Sequence, residues 1–160
     1  APTKVFNMPG LISSGYIIPN ADLRHKFAEF LEASEMNSGN LFAYIGAVAA
    51  YKNGEEWRLQ MLDYVKENID FVAEYLSKHV PQIVPMIPEA SFLVWLDCEN
   101  LGMETDELHR FFSLQARLGL NKGTIFGPGG ENHLRLNVAC SRSVLAQAME
   151  QLKTAVDALN

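Results

Sequence analysis

Two charged side chains, Lys4 and Arg135, stand in local sequence unusual enough to carry chemistry. A lysine amine condenses with carbonyls to form imines, and burial beside other cations keeps enough of it unprotonated to react. An arginine guanidinium grips a carboxylate through two parallel hydrogen bonds. Alone, either residue type reads as a solvated surface charge. Lys4, however, sits in Thr3-Lys4-Val5-Phe6-Asn7-Met8-Pro9-Gly10-Leu11, and Arg135 follows the glycine-rich stretch Phe126-Gly127-Pro128-Gly129-Gly130. The region from Gly123 to Gly130 lacks the lysine–hydroxyl pair of a phosphate-binding P-loop, which argues against a nucleotide-phosphate reading. His25, His79, His109 and His133 show no metal-ligand spacing with one another or with Cys98 and Cys140, so no metal site is expected. Two cysteines are too few for a disulfide framework.

The elements that must position these residues follow from periodicity and punctuation. The β-branched run over 11–18, closed by Pro19-Asn20, predicts a strand. Asn20 can cap a helix over 21–33. After the loop 37–40, Ser38 or Asn40 starts an alanine-rich helix reaching about Tyr51 and stopped by Asn53-Gly54. Residues 55–79 make the clearest helix: Leu62, Val65, Ile69, Val72 and Leu76 recur in steps of three and four. A stripe of that length wants a partner throughout, as in a helix joining two bodies of structure. Beyond Pro81, extended segments are expected at 83–87, 92–96 and 133–139. Thr105 can cap a helix to about Ala116. Ser141 or Ser143 starts a last helix with Leu145, Met149, Leu152, Val156 and Leu159 on one side. Residues 82–160 thus read as a small α+β domain with helices on one face of a sheet.

Composition narrows the function classes. Hydrophobic residues make up 48% and charged residues 20% of 160, as in a globular protein with a real core. A net charge of −6 with scattered Lys and Arg gives no nucleic-acid footprint. No apolar run is long enough for a bilayer and no secretory leader is visible, so the expected location is the cytoplasm, with no membrane partner.

The segment around Lys4 resembles the cofactor-lysine signature of class I/II aminotransferases, the fold type I enzymes that use pyridoxal 5′-phosphate (PLP). The segment from Phe126 to Cys140, with Arg135-Leu136-Asn137-Val138-Ala139, resembles the family's C-terminal glycine-rich loop and R-[LI]-N-x-A strand. Asn40-Leu41-Phe42 and the stretch from Ala47 to Trp57 are similar to the family's helix–turn–helix leading to its small domain. Ile12 stands where most members carry a phosphate-binding arginine, and Ala1 where many carry a serine. This form is similar to the cystathionine β-lyase-like C–S lyase branch.

The resemblance implies that Lys4 holds PLP and moves the substrate Cα proton, that Arg135 binds the substrate carboxylate, and that Thr3 is a candidate phosphate hydroxyl. It implies an α/β fold overall and β-elimination giving thiol, pyruvate and ammonia, with transamination as the alternative. It also implies a homodimer, with 36–43 as a candidate interface. Residues 1–52 would be the tail of the large PLP-binding domain, 53–81 a linking helix and 82–160 the small domain. The chain would then be about the C-terminal two-fifths of such an enzyme and inactive alone, its pyridine-nitrogen and ring-stacking residues lying outside it. The reading from another class is a non-catalytic α+β interaction module.

Overall fold

The computed structural model describes residues 1–159. It contains two compact units, Ala1–Leu62 and the residues from Asp63 onward, with the boundary inside the long helix Glu55–His79.

The first unit is helical. Pro2–Val5 forms a single turn, α1, with proline at the position where a missing N–H is harmless. A 3-10 turn at Pro9–Leu11 follows. The strand expected over 11–18 does not form. Ile12 adopts φ +46°, a left-handed conformation unusual for a β-branched residue, and it breaks the extended run at its start. A strand also needs a neighbour to pair its backbone groups, and no strand occurs among the described residues of this unit.

Helix α2, Ala21–Ala33, starts as expected: Asn20 Oδ1 accepts from the backbone N–H of Leu23 at 2.9 Å. Arg24 Nη1 donates back to the carbonyls of Ile18 (2.7 Å) and Pro19 (3.2 Å), tying the incoming segment to the helix. Helix α3, Leu41–Asn53, takes Asn40 rather than Ser38 as its cap, through Phe42 N at 2.9 Å, and ends at Gly54. Helix α4 spans Glu55–His79, with Glu55 and Glu56 in the first turn and Lys78 and His79 in the last, as the helix dipole favours.

In the second unit, α4 buries Val65, Ile69, Val72 and Leu76. Then come β1 (Val84–Met86), β2 (Leu93–Asp97), α5 (Thr105–Arg110), β3 (Asn121–Lys122), β4 (His133–Asn137) and α6 (Arg142–Asp157). The strands form one antiparallel sheet of order β1-β2-β4-β3. This is the expected α+β architecture. Val94, Leu96, Leu134 and Leu136 point to one face and are buried. With Leu108 and Phe112, and with Leu145, Met149 and Leu152 of α6, they form the core. Each such side chain contributes about 1.5–3 kcal/mol on burial.

Four details differ from expectation. Glu104, not Thr105, occupies the cap position of α5, and the Thr105 hydroxyl turns to Asn132 Oδ1 at 3.4 Å. The turn after α5, Phe111–Gln115, widens into a π-helix before ending at Ala116. Leu159 lies past the end of α6 and is 45% exposed, because the helix stops at Asp157. Ser141 is the residue that precedes α6, but its hydroxyl pairs with that of Ser143 rather than with the helix backbone.

Asn68, on the buried stripe of α4, ties the second unit together. Its Nδ2 donates to the carbonyls of Val138 (2.8 Å) and Cys140 (3.0 Å), and its Oδ1 accepts from Arg142 Nε (2.7 Å). The Arg142 guanidinium also lies over the Phe71 ring, 4.7 Å from its centroid.

Candidate functional site

In the first unit the segment around Lys4 is folded by its own motif residues. The Lys4 N–H donates to Ala1 O at 3.3 Å, and Thr3 O accepts from Met8 N at 2.9 Å. Pro2 and Thr3 are buried. The Phe6 ring packs edge-on against Tyr51 of α3, with centroids 5.4 Å apart, and tilts toward Trp57 at 6.3 Å. Lys4 itself is exposed and takes part in none of the ion pairs among the described residues. An uncommitted primary amine on an anchored turn fits covalent attachment of a carbonyl cofactor such as PLP. Thr3 adjoins it in the same turn. Ile12 is 87% exposed and brings no charge.

In the second unit Arg135 lies on the sheet face opposite the core. β4 alternates, with Leu134 and Leu136 buried while His133 and Arg135 face the other way. Arg135 stands directly across from Trp95 on β2 and from Asn121 on β3. Its Nη2 donates to Asn121 Oδ1 at 2.9 Å, and its guanidinium carbon sits 4.4 Å from the centre of the Phe126 ring. Arg135 Nε is buried without a hydrogen-bond partner. An unmet donor of this kind is costly unless a ligand oxygen takes it.

Aromatic rings frame this arginine. Trp95 meets Phe126 at 5.7 Å edge-on and stacks on His133 at 5.7 Å with an interplanar angle of 23°. His133 Nδ1 lies 2.6 Å from the Glu131 carbonyl, which only accepts, so Nδ1 carries the proton and a neutral ring keeps Nε2 as an acceptor.

The loop presenting Phe126 closes at its neck. A Cβ on Gly123 would come within 2.2 Å of Gly130 O, and one on Gly130 within 2.3 Å of Gly123 O, so only two glycines can cross there. Glu131 folds its carboxylate onto the loop backbone, accepting from Gly129 N at 2.9 Å. At the loop's entry Lys122 donates to Asp106 at 2.7 Å, and that hydrogen bond holds the Asp106 carboxyl below its ordinary range.

The buried Cys98 offers no ready nucleophile. Burial pushes the Cys98 thiol up to about 12, with the Asp97 charge adding to it, and burial also raises Cys140.

Sequence reasoning missed Asn121, Phe126, Trp95 and His133 as neighbours of Arg135. The alternation of β4 and the aromatic in the glycine-rich loop were the available signals. The partners on β2 and β3 depend on strand register.

No protein-family model matches the chain. Among curated proteins it is 35% identical over 156 residues to cystathionine β-lyase PatB of Bacillus subtilis (strain 168), covering 98% of this chain and 40% of that relative. Among solved structures, cystalysin from Treponema denticola, which contains a pyridoxal 5′-phosphate cofactor, matches with TM-score 0.95 and 28% identity over 100% of this chain and 41% of that one. The PLP-bound C–S lyase from Staphylococcus hominis matches with TM-score 0.84 and 28% identity, covering 97% of this chain and 39% of that one. Aminotransferases also occur among the matches. The chain spans about 40% of the length of the curated relatives PatB and MalY. The chain is therefore a homologue of the PLP-dependent C–S lyases of aminotransferase fold, matching their C-terminal part.

Proposed function

We propose that this chain is the C-terminal part of a PLP-dependent C–S β-lyase acting on a sulfur-containing amino acid, and that it is inactive alone. The observation that carries the reading is Arg135, whose guanidinium carbon sits over the Phe126 ring and whose Nε is buried and unpartnered. A guanidinium is the side chain that meets a carboxylate with two parallel N–H donors. The likeness to PatB and cystalysin supports elimination, while the aminotransferases among the matches support transamination as the second reading.

Each residue then has a task. Lys4 holds the cofactor through its Nζ, and Thr3 stands beside it as a candidate phosphate partner. When bound, PLP supplies an electron sink for charge developing at the substrate Cα. Lys4 Nζ, once the substrate amine has displaced it from the cofactor, would take the Cα proton as general base. Arg135 fixes the carboxylate, and with it the orientation of the Cα bonds. Ile12 brings no charge for the cofactor phosphate, so beyond Thr3 that task falls to other groups. In the same reading 1–52 belong to a large domain, 53–81 link, and 82–160 form the small domain. The enzyme is a cytoplasmic homodimer in which 36–43 contribute to the interface. No helix among the described residues is long and apolar enough to cross a membrane.

The test uses the longer protein that contains this sequence. Borohydride reduction followed by peptide mass analysis is expected to place the cofactor on Lys4. An S-alkyl cysteine is expected to yield thiol, pyruvate and ammonia in equal amounts. A Lys4→Ala protein that keeps both cofactor and lyase activity sinks the proposal. Keto-acid-dependent amino transfer without thiol release selects the second reading.

A further inference from the structure

We infer that Asn121 and Phe126 are positioning residues for Arg135, and that together they set the affinity of this site for a carboxylate-bearing ligand. The inference deepens the proposed function and rests on the reading of Arg135 as the carboxylate grip.

An arginine side chain has several free torsions, and a ligand that must order them binds more weakly. Here the ordering is built into the fold. The guanidinium carbon sits over the Phe126 ring, 4.4 Å from its centroid, a cation–π contact that restrains the end of the side chain. Asn121 Oδ1 accepts from Nη2 at 2.9 Å, which restrains rotation of the guanidinium. Asn121 stands across from Arg135 in the β3–β4 pairing, so the hydrogen bond depends on strand register and not on a chance approach. Phe126 depends on the loop neck, where Gly123 and Gly130 cross at a separation no other residue allows.

These restraints leave Nε without a partner. Neither Asn121 nor Phe126 takes that donor. The two contacts therefore hold the guanidinium still without consuming its Nε donor. Neither residue contributes to the core: Phe126 is 50% exposed and Asn121 is exposed, so substitution spares the fold.

The experiment has two arms. In the longer protein containing this sequence, N121A is expected to raise KM for the amino-acid substrate about 10-fold, as befits a lost hydrogen bond to a charged group. F126L is expected to raise it roughly 5-fold through loss of the ring face, and F126Y, which keeps the ring, to restore it. The expected change in kcat is under about 3-fold, because uniform binding is what is lost. In the 160-residue chain, nitrogen-15 NMR of the Arg135 side chain is expected to show restrained rotation of the guanidinium, and faster rotation in N121A and F126L.

A large KM effect of R135A combined with unchanged KM in both N121A and F126L overturns the inference and leaves the carboxylate role standing. Guanidinium rotation that is equally fast in all three chains also overturns it. An R135A protein with unchanged KM instead removes the underlying reading of the site.

Discussion

In the second unit Phe112, Leu76 and Leu152 are 1% exposed or less, whereas in the first unit Leu41, Phe42 and Ile17 are 66%, 72% and 94% exposed. The contrast is written into the helices. α6 carries Leu145, Met149, Leu152 and Val156 on one stripe, and all four are buried. α3, reading Leu-Phe-Ala-Tyr-Ile-Gly-Ala-Val-Ala-Ala-Tyr, is apolar on every side, yet only Ala43 is buried. A helix hydrophobic all round is normally enclosed, and apolar surface on this scale marks an interaction face. The second unit therefore satisfies its own apolar residues, while the first presents them for further structure. The Lys4 segment belongs to the first unit and Arg135 to the second.

The strongest way to break this comparison is to divide the chain. Residues from Asp63 onward, expressed alone, are expected to unfold in a single cooperative urea transition. Residues 1–62 alone are expected to show none, and to self-associate. Circular dichroism and sedimentation check both. A cooperative first unit removes the distinction.

Single substitutions sharpen it. Phe112→Ala empties a fully buried position and is expected to cost about 3–5 kcal/mol in urea unfolding, as large-to-small changes of a core aromatic do. Phe42→Ser, on exposed α3, is expected to leave the urea midpoint in place and to reduce self-association. Equal destabilisation by the two changes means that α3 is packed as tightly as the core.

Much of this was legible in the sequence, for reasons that vary along the chain. The bounds of α4 follow from Gly54, the paired first-turn carboxylates and the three-four stripe, all local signals. The caps at Asn20 and Asn40 are likewise local. The segment after Leu11 misled because β-branched composition says nothing about whether a neighbouring strand exists, and Ile12 turns left-handed instead. At the site, Lys4 and Arg135 stood out through their motifs. Asn121 and Trp95 did not, because they reach Arg135 only through register between strands.

Asn68 shows the same limit from the other side. A polar residue on an apolar stripe is a visible anomaly, but its three partners lie more than a helix away in sequence. Asn68→Ala strips donors from two carbonyls and the acceptor from Arg142. The expected loss is about 3 kcal/mol, from leaving buried polar groups unmet. Asn68→Asp, which keeps the acceptor and loses the donors, is expected to recover only part of it. A loss within measurement error for both places the joint between α4 and the start of α6 outside the cooperative core.

The smallest effect concerns Cys98, 1% exposed, with Sγ 3.8 Å from Leu96 O. Its thiol is pushed from 9.0 to about 12, first by burial and then by the Asp97 charge. The unfolded chain therefore ionises this thiol more readily than the folded one. The stability linked to it is fully present below pH 9 and is lost as pH rises from 9 to 12. Tyr75, raised from 10.0 to about 12, chiefly by burial, adds to the loss between pH 10 and 12. Cys98→Ala is expected to reduce the alkaline slope without abolishing it. At pH 8 an alkylating reagent is expected to label the half-buried Cys140 first, and Cys98 only in urea. If Cys98 reacts as fast as Cys140 in the native chain, the second unit opens locally around β2 at low cost. Its independence from the first would then rest on fewer buried residues than its static packing implies.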